Sequence, residues 1–184
     1  MRLFAAVPLP EPAHAEVAGL LDRLRRRELP VRWVRDEGLH LTLKFFGEVA
    51  ADRVGAVEEA IRLANAGSEP LAMRLDDLGA FPTASRARVL WVGVEAPPAL
   101  ELLQDRLERR CEAIGFPPEG SPFRPHITLG RVRDGERCAL EAVEEAAAPV
   151  EPLPFLATDM VLYESVRANG TQRYQPRLTV ELGR

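Results

Sequence analysis

Apolar residues recur along the chain in two periods that alternate with each other. Residues 2–8 form a short apolar run that predicts a strand, and residues 11–28 place Val17, Leu20, Leu21 and Leu24 on one face of a predicted helix. Strands are predicted at 31–34 and 39–46, then a helix over 51–66 with Val54, Val57, Ile61 and Ala64 at helical spacing. Strands at 71–78 and 88–95 precede a helix opened by Pro97-Pro98 and ended by Gly115, with Leu100, Leu103, Leu107, Cys111 and Ile114 on its apolar stripe. A strand at 126–132, a short helix at 137–147 and strands at 154–157, 159–166 and 174–182 complete the pattern, with Asn169-Gly170 as the hairpin turn before the last strand. Helices mixed with strands adjacent in sequence argue for an α+β fold rather than a doubly wound parallel sheet. The Gly, Pro and Ser cluster at 115–122 is too short to separate domains but can join two similar halves of one, so a single domain over residues 1–184 is expected.

Two of the three histidines open nearly the same phrase: His40-Leu41-Thr42-Leu43 and His126-Ile127-Thr128-Leu129. Side chains alternate faces along a strand, so each phrase presents an imidazole beside a hydroxyl while its aliphatic residues point the other way. If the halves are related by an approximate two-fold axis, the two pairs meet across one cleft. That set suits displacement at phosphorus, where a base deprotonates water and an acid protonates the departing oxygen on the opposite side. Histidines near their ordinary pKa supply both roles, and threonine hydroxyls donate to the non-bridging oxygens. A strained 2′,3′-cyclic phosphate is a good candidate substrate because its cleavage is feasible without a metal. His14 lies at the edge of a helical apolar face and reads as structural.

Composition narrows the partners. A net charge of −4 argues against a broad cationic surface for duplex DNA, and 46% apolar with 28% charged residues excludes a disordered chain. Lys44 is the only lysine beside 23 arginines, so a single arginine carries little information. Cys111 and Cys138 lack zinc-like spacing or a disulfide framework, and no metal or cofactor is expected. No apolar run approaches a membrane span, and the short run at 3–9, broken by Pro8 and Pro10, does not read as a secretory leader. The expectation is a cytoplasmic monomer with free thiols.

The phrases running from His40 to Gly47 and from Pro125 to Arg131 resemble the two signature motifs of the 2H phosphoesterase superfamily, and within it the bacterial and archaeal RNA 2′,3′-cyclic phosphodiesterases, historically called 2′-5′ RNA ligases. The likeness extends to the opening Arg2 to Val7 strand, to Trp33-Val34 and to Ser121-Pro122-Phe123-Arg124. The resemblance implies a bilobal, duplicated α+β unit with concave antiparallel sheets flanking a central cleft and helices outside. It implies metal-independent opening of the cyclic phosphate to a 2′-phosphate, with His40 as general acid at O3′ and His126 as base. By the same resemblance Thr42 and Thr128 hold the phosphate, Arg131 contacts substrate, and Phe45 is the platform for the terminal base. Two rivals stay open: a phosphodiesterase for another small cyclic or 2′-5′-linked nucleotide, and a nucleotide- or RNA-binding module without chemistry.

Strand parity opposes two of these residues. On a regular strand Phe45 shares the buried face of Leu43, and Arg131 lies on the opposite side from His126 and Thr128; each needs a bend or bulge, near Gly47 and Gly130 respectively, to reach the cleft. Arg124 and Lys44 read either as site residues or as solvated charges. Arg167 and Arg173, flanking the Asn169-Gly170 turn, are candidates for an RNA backbone.

Overall fold

The computed structural model describes residues 1–168 and 171–183, and among them holds nine strands and four α-helices. In chain order these are β1 Arg2–Pro8, α1 Ala13–Arg25, β2 Val31–Trp33, β3 His40–Glu48, α2 Val54–Asn65, β4 Leu71–Thr83, β5 Arg86–Glu95, α3 Pro98–Ala113, β6 His126–Val132, α4 Leu140–Ala146, β7 Pro154–Ala157, β8 Asp159–Ala168 and β9 Thr171–Glu181. The Asn169-Gly170 turn lies outside the described residues. Every predicted element is present, and the departures are at ends. Helix α1 is trimmed on both sides, and β4 runs on through Gly79 and Phe81 to Thr83 because those residues pair with β5 across a two-residue turn at Ala84-Ser85.

All strand pairs are antiparallel, in the order β7-β4-β5-β6-β3-β1-β8-β9, with β2 also on β6. The α+β class and the open antiparallel sheet follow. The order falls into two halves, β4, β5, β6 and β7 on one side and β1, β3, β8 and β9 on the other, that meet at the single register pair Leu41↔Ile127. Strand β6 changes partner along its length, from β3 at Ile127 to β2 at Gly130 to Val132. The halves separate there, and a cleft opens beside the join.

Packing follows the alternation. Leu3, Ala5 and Val7 of β1, Leu41 and Leu43 of β3, Leu90 and Val92 of β5 and Ile127 and Leu129 of β6 are buried in one apolar cluster with the inner faces of all four helices. Cys111 lies within it, fully buried, as its place on the α3 stripe predicts. The opposite face of the same strands carries the histidines.

Candidate active site

His40 and His126 are each the first residue of a strand, β3 and β6. The antiparallel pair Leu41↔Ile127, continued one residue either way, sets His40 across from Thr128 and Thr42 across from His126. Leu41 and Ile127 are buried in the core, so all four polar side chains lie on the other face, each half-buried. The two phrases thus form a quartet in which each imidazole neighbours the other phrase's hydroxyl. Neither threonine hydroxyl has a hydrogen-bond partner among the described residues.

His126 Nδ1 donates to the carbonyl of Arg124 at 2.6 Å, and the backbone of Gly38, again two residues upstream, acts on the His40 ring in the sense that favours its charged form. With Nδ1 protonated, the neutral His126 ring offers Nε2 as a free base. Aromatic walls fix the planes. Phe4 stacks on His40 at 4.8 Å and Tyr174 meets it edge-on at 5.3 Å, while Phe81 meets His126 edge-on at 5.1 Å. Trp91, 6.0 Å from His126, lies over Gly79, where a Cβ would come within 2.0 Å of the indole. Glycine is required at that position for the wall to close.

Burial lowers the pKa of both rings, because the charged form loses hydration. His40 falls to about 4, with the nearby His126 charge adding to the effect of burial and the Gly38 carbonyl opposing it. His126 is lowered by burial and by Arg131, against the Arg124 carbonyl and the Glu119 carboxylate. In the free protein at neutral pH both imidazoles are therefore neutral.

Bulges resolve the parity problem at both accessory positions. Between Ala5↔Lys44 and Ala6↔Thr42 the register slips by one on β3, and between Leu90↔Gly130 and Trp91↔Thr128 it slips by one on β6. The slip sits at the same place in both phrases, just after the threonine, and it turns the fifth residue after each histidine to the cleft face. Phe45 emerges 55% exposed, its ring 5.9 Å from that of Phe4, and lines the cleft with Thr42 and His126. Arg131 emerges exposed, close enough to His126 and Tyr174 for its charge to act on both.

Lys44 departs from both readings made for it. The bulge turns it inward, where it is 1% exposed, paired with Glu108 of α3 and donating to the Pro117 carbonyl at 2.9 Å. It is neither in the site nor solvated. It anchors residues 115–125, the loop that forms one wall of the cleft, and the Phe45 amide adds a bond to Glu119 at 3.3 Å. The cleft, about 340 Å³, is lined by Thr42, Phe45, Phe81, Glu119, Arg124 and His126 among others. Sequence reasoning missed Phe81, Glu119, Tyr163 and Tyr174, which the fold brings from distant elements with no local signal. His14 is structural, its Nε2 donating at 3.0 Å to the carbonyl of Asp36 in the turn before β3. Arg167 and Arg173 are split by register: Arg167 shares the face of Tyr163 and Ser165, and Arg173 pairs with Val166 on the reverse.

The model of the 2′-5′ RNA ligase superfamily matches residues 9–169, a span that holds both histidine phrases. The chain belongs to this family. Its relatives include the Escherichia coli K12 RNA 2′,3′-cyclic phosphodiesterase, 36% identical with 95% of this chain and 93% of that one covered, and the Methanothermobacter thermautotrophicus protein of the same name, 37% identical over 72% of each. Among solved structures, one from Thermus thermophilus superposes with a TM-score of 0.81 at 28% identity, covering 99% of this chain and 98% of that one. Escherichia coli LigT complexed with 3′-AMP superposes with a TM-score of 0.78 at 29% identity, covering 100% and 98%. Among the described residues no three His, Cys, Asp or Glu side chains gather as a metal ion would require, and no helix is long and apolar enough to cross a membrane.

Proposed function

We propose that the protein hydrolyses RNA ends carrying a 2′,3′-cyclic phosphate to 2′-phosphates, using two histidines and no metal. The observation that carries the reading is the quartet: two imidazoles and two unpartnered hydroxyls on one face, with His126 Nδ1 donating to the Arg124 carbonyl so that its Nε2 is free. Thr42 and Thr128 donate to the non-bridging oxygens. His126 takes a proton from water as its oxygen attacks phosphorus, the P–O3′ bond breaks, and His40 delivers its proton to O3′. The phosphodiester anion favours the charged form of both rings, so substrate itself helps supply the acid's proton. Phe45 stacks the terminal base, and Arg131 contacts the substrate.

The microscopic reverse joins a cyclic end to a 5′-hydroxyl; in water it is the minor direction. The two halves are pseudo-symmetric lobes of one domain, and the protein works as a cytoplasmic monomer. The test is to incubate chelated protein with an oligoribonucleotide ending in 2′,3′-cyclic phosphate. A 2′-phosphate product is expected, with His40→Ala and His126→Ala each at least about 100-fold slower. A 3′-phosphate product, or loss of activity on chelation, overturns the mechanism.

A further inference from the structure

Strand β2 is only three residues long, yet its middle residue is held in a fixed relation to the site. Val31 pairs with Val132, Arg32 with Arg131 and Trp33 with Gly130. Val31 and Val132 are buried and Trp33 packs on the core, so alternation sends Arg32 to the opposite face, which the β6 bulge has also given to Arg131. Two arginines therefore stand directly across a strand pair on the cleft face. Gly130 fixes this seating. A Cβ there would fall 2.7 Å from Val31, 2.8 Å from Trp33 and 2.9 Å from the Arg32 carbonyl, so β2 lies as close to β6 as a backbone allows.

Like charges directly opposite on a sheet repel and destabilise it. Neither guanidinium makes an ion pair or hydrogen bond among the described residues. The first acid to follow β2 in the chain, Asp36, is already taken by Arg25 at 2.8 Å. Most arginines with carboxylate partners sit elsewhere, on helices or outer strand faces, as Arg62, Arg109 and Arg177 do. Two arginines seated opposite each other on the backbone and left without a counterion are a ready pair for a bound anion, and the planar guanidinium fork suits a phosphodiester.

Resting on the reading of function above, we infer that Arg32, acting with Arg131, binds the phosphodiester that joins the terminal nucleotide to its 5′ neighbour. The quartet is already occupied by the terminal cyclic phosphate. Arg131 lies three residues beyond Thr128 along β6, at most roughly 10 Å at the rise of a strand, and Arg32 stands across from it on β2, which takes the edge of β6 that β3 holds at Ile127. The anion served there is the next one along the RNA backbone.

The test compares a nucleoside 2′,3′-cyclic phosphate, which lacks that linkage, with a trinucleotide ending in 2′,3′-cyclic phosphate. Arg32→Gln is expected to lower kcat/KM for the trinucleotide about tenfold more than for the mononucleotide. It is also expected to make the trinucleotide's log–log salt dependence shallower by about 0.7, the loss of one phosphate contact on a single strand. Equal losses on both substrates, or no loss on the trinucleotide, overturn the assignment. If the parent protein turns over neither substrate, the functional reading fails, and titration with a 2′-phosphate-ended trinucleotide still decides the role of Arg32. Binding weakened about tenfold by Arg32→Gln supports the site, and unchanged binding overturns it. Arg32 is exposed, so the variant is expected to fold, and its melting curve checks this.

Discussion

At the scale of single residues, the two histidines set the pH range in which the site works. One acid and one base require a single proton shared across the pair. Below both pKa values two protons are bound and the base is lost; above both none is bound and the acid is lost. In the free protein His40 lies at about 4 and His126 below its ordinary 6.5. The value of kcat/KM is therefore expected to peak on the acid side of pH 6.5 and to fall between pH 7 and 8. Replacing Arg131 with Gln removes a cation that lowers His126, so the basic limb is expected to move up. A pH series of initial rates measures both, and a rate that rises from pH 6.5 to 8 would contradict the assignment. Phe45→Ala is expected to raise KM for cyclic nucleotides by about 5- to 160-fold with little change in kcat, since stacking one base contributes about 1–3 kcal/mol. A loss confined to kcat would place Phe45 in the chemistry instead.

At the scale of elements, the bulges decide which residues serve the site. The histidine and threonine of each phrase were legible because two positions of simple alternation suffice to place them. Phe45 and Arg131 came only from the family resemblance, because alternation alone puts both on the wrong face, and each bulge is stabilised by partners far away in sequence. On β3 the extra residue lets Lys44 reach Glu108 of α3; on β6 the corresponding residue is Gly130, which β2 covers. Nothing local announces that Lys44 is a core residue, since its partner is 64 positions away. The outer part of the β4–β5 hairpin also went beyond the predicted strands at 71–78 and 88–95, and there Trp91 fills the space that Gly79 leaves. Lys44→Ala strands a buried carboxylate and is expected to cost about 3–5 kcal/mol, read as a lower denaturant midpoint. If stability holds and only activity drops, the ion pair serves the cleft wall and not the core.

At the scale of the whole molecule, sequence order and sheet order are interleaved. Strand β4, from the first half of the chain, pairs with β5 and β7 beside His126; strands β8 and β9, from the end, pair beside β1 and His40. The repeated phrase suggested two similar halves from sequence, but it did not reveal this exchange of strands, because antiparallel neighbours far apart in the chain leave no mark on periodicity. Polypeptides covering residues 1–96 and 97–184 are each expected to lack a cooperative thermal transition when alone and to regain one, with activity, when mixed. A sharp transition in either piece by itself would show that the exchange is incidental.

The same exchange bears on how the chain first acquires its structure. His40 emerges from the ribosome early, yet one wall around it, Tyr163 and Tyr174, is among the last parts made. Until β8 is complete, β1 presents a row of unpaired amides and carbonyls on one side, bordered by Leu3, Phe4, Ala5, Ala6 and Val7. A growing chain in that state is a template for strand addition by its neighbours. For this protein the interval between translation of β1 and of β8 is the time of greatest exposure to aggregation, and slower elongation in that stretch would lengthen it.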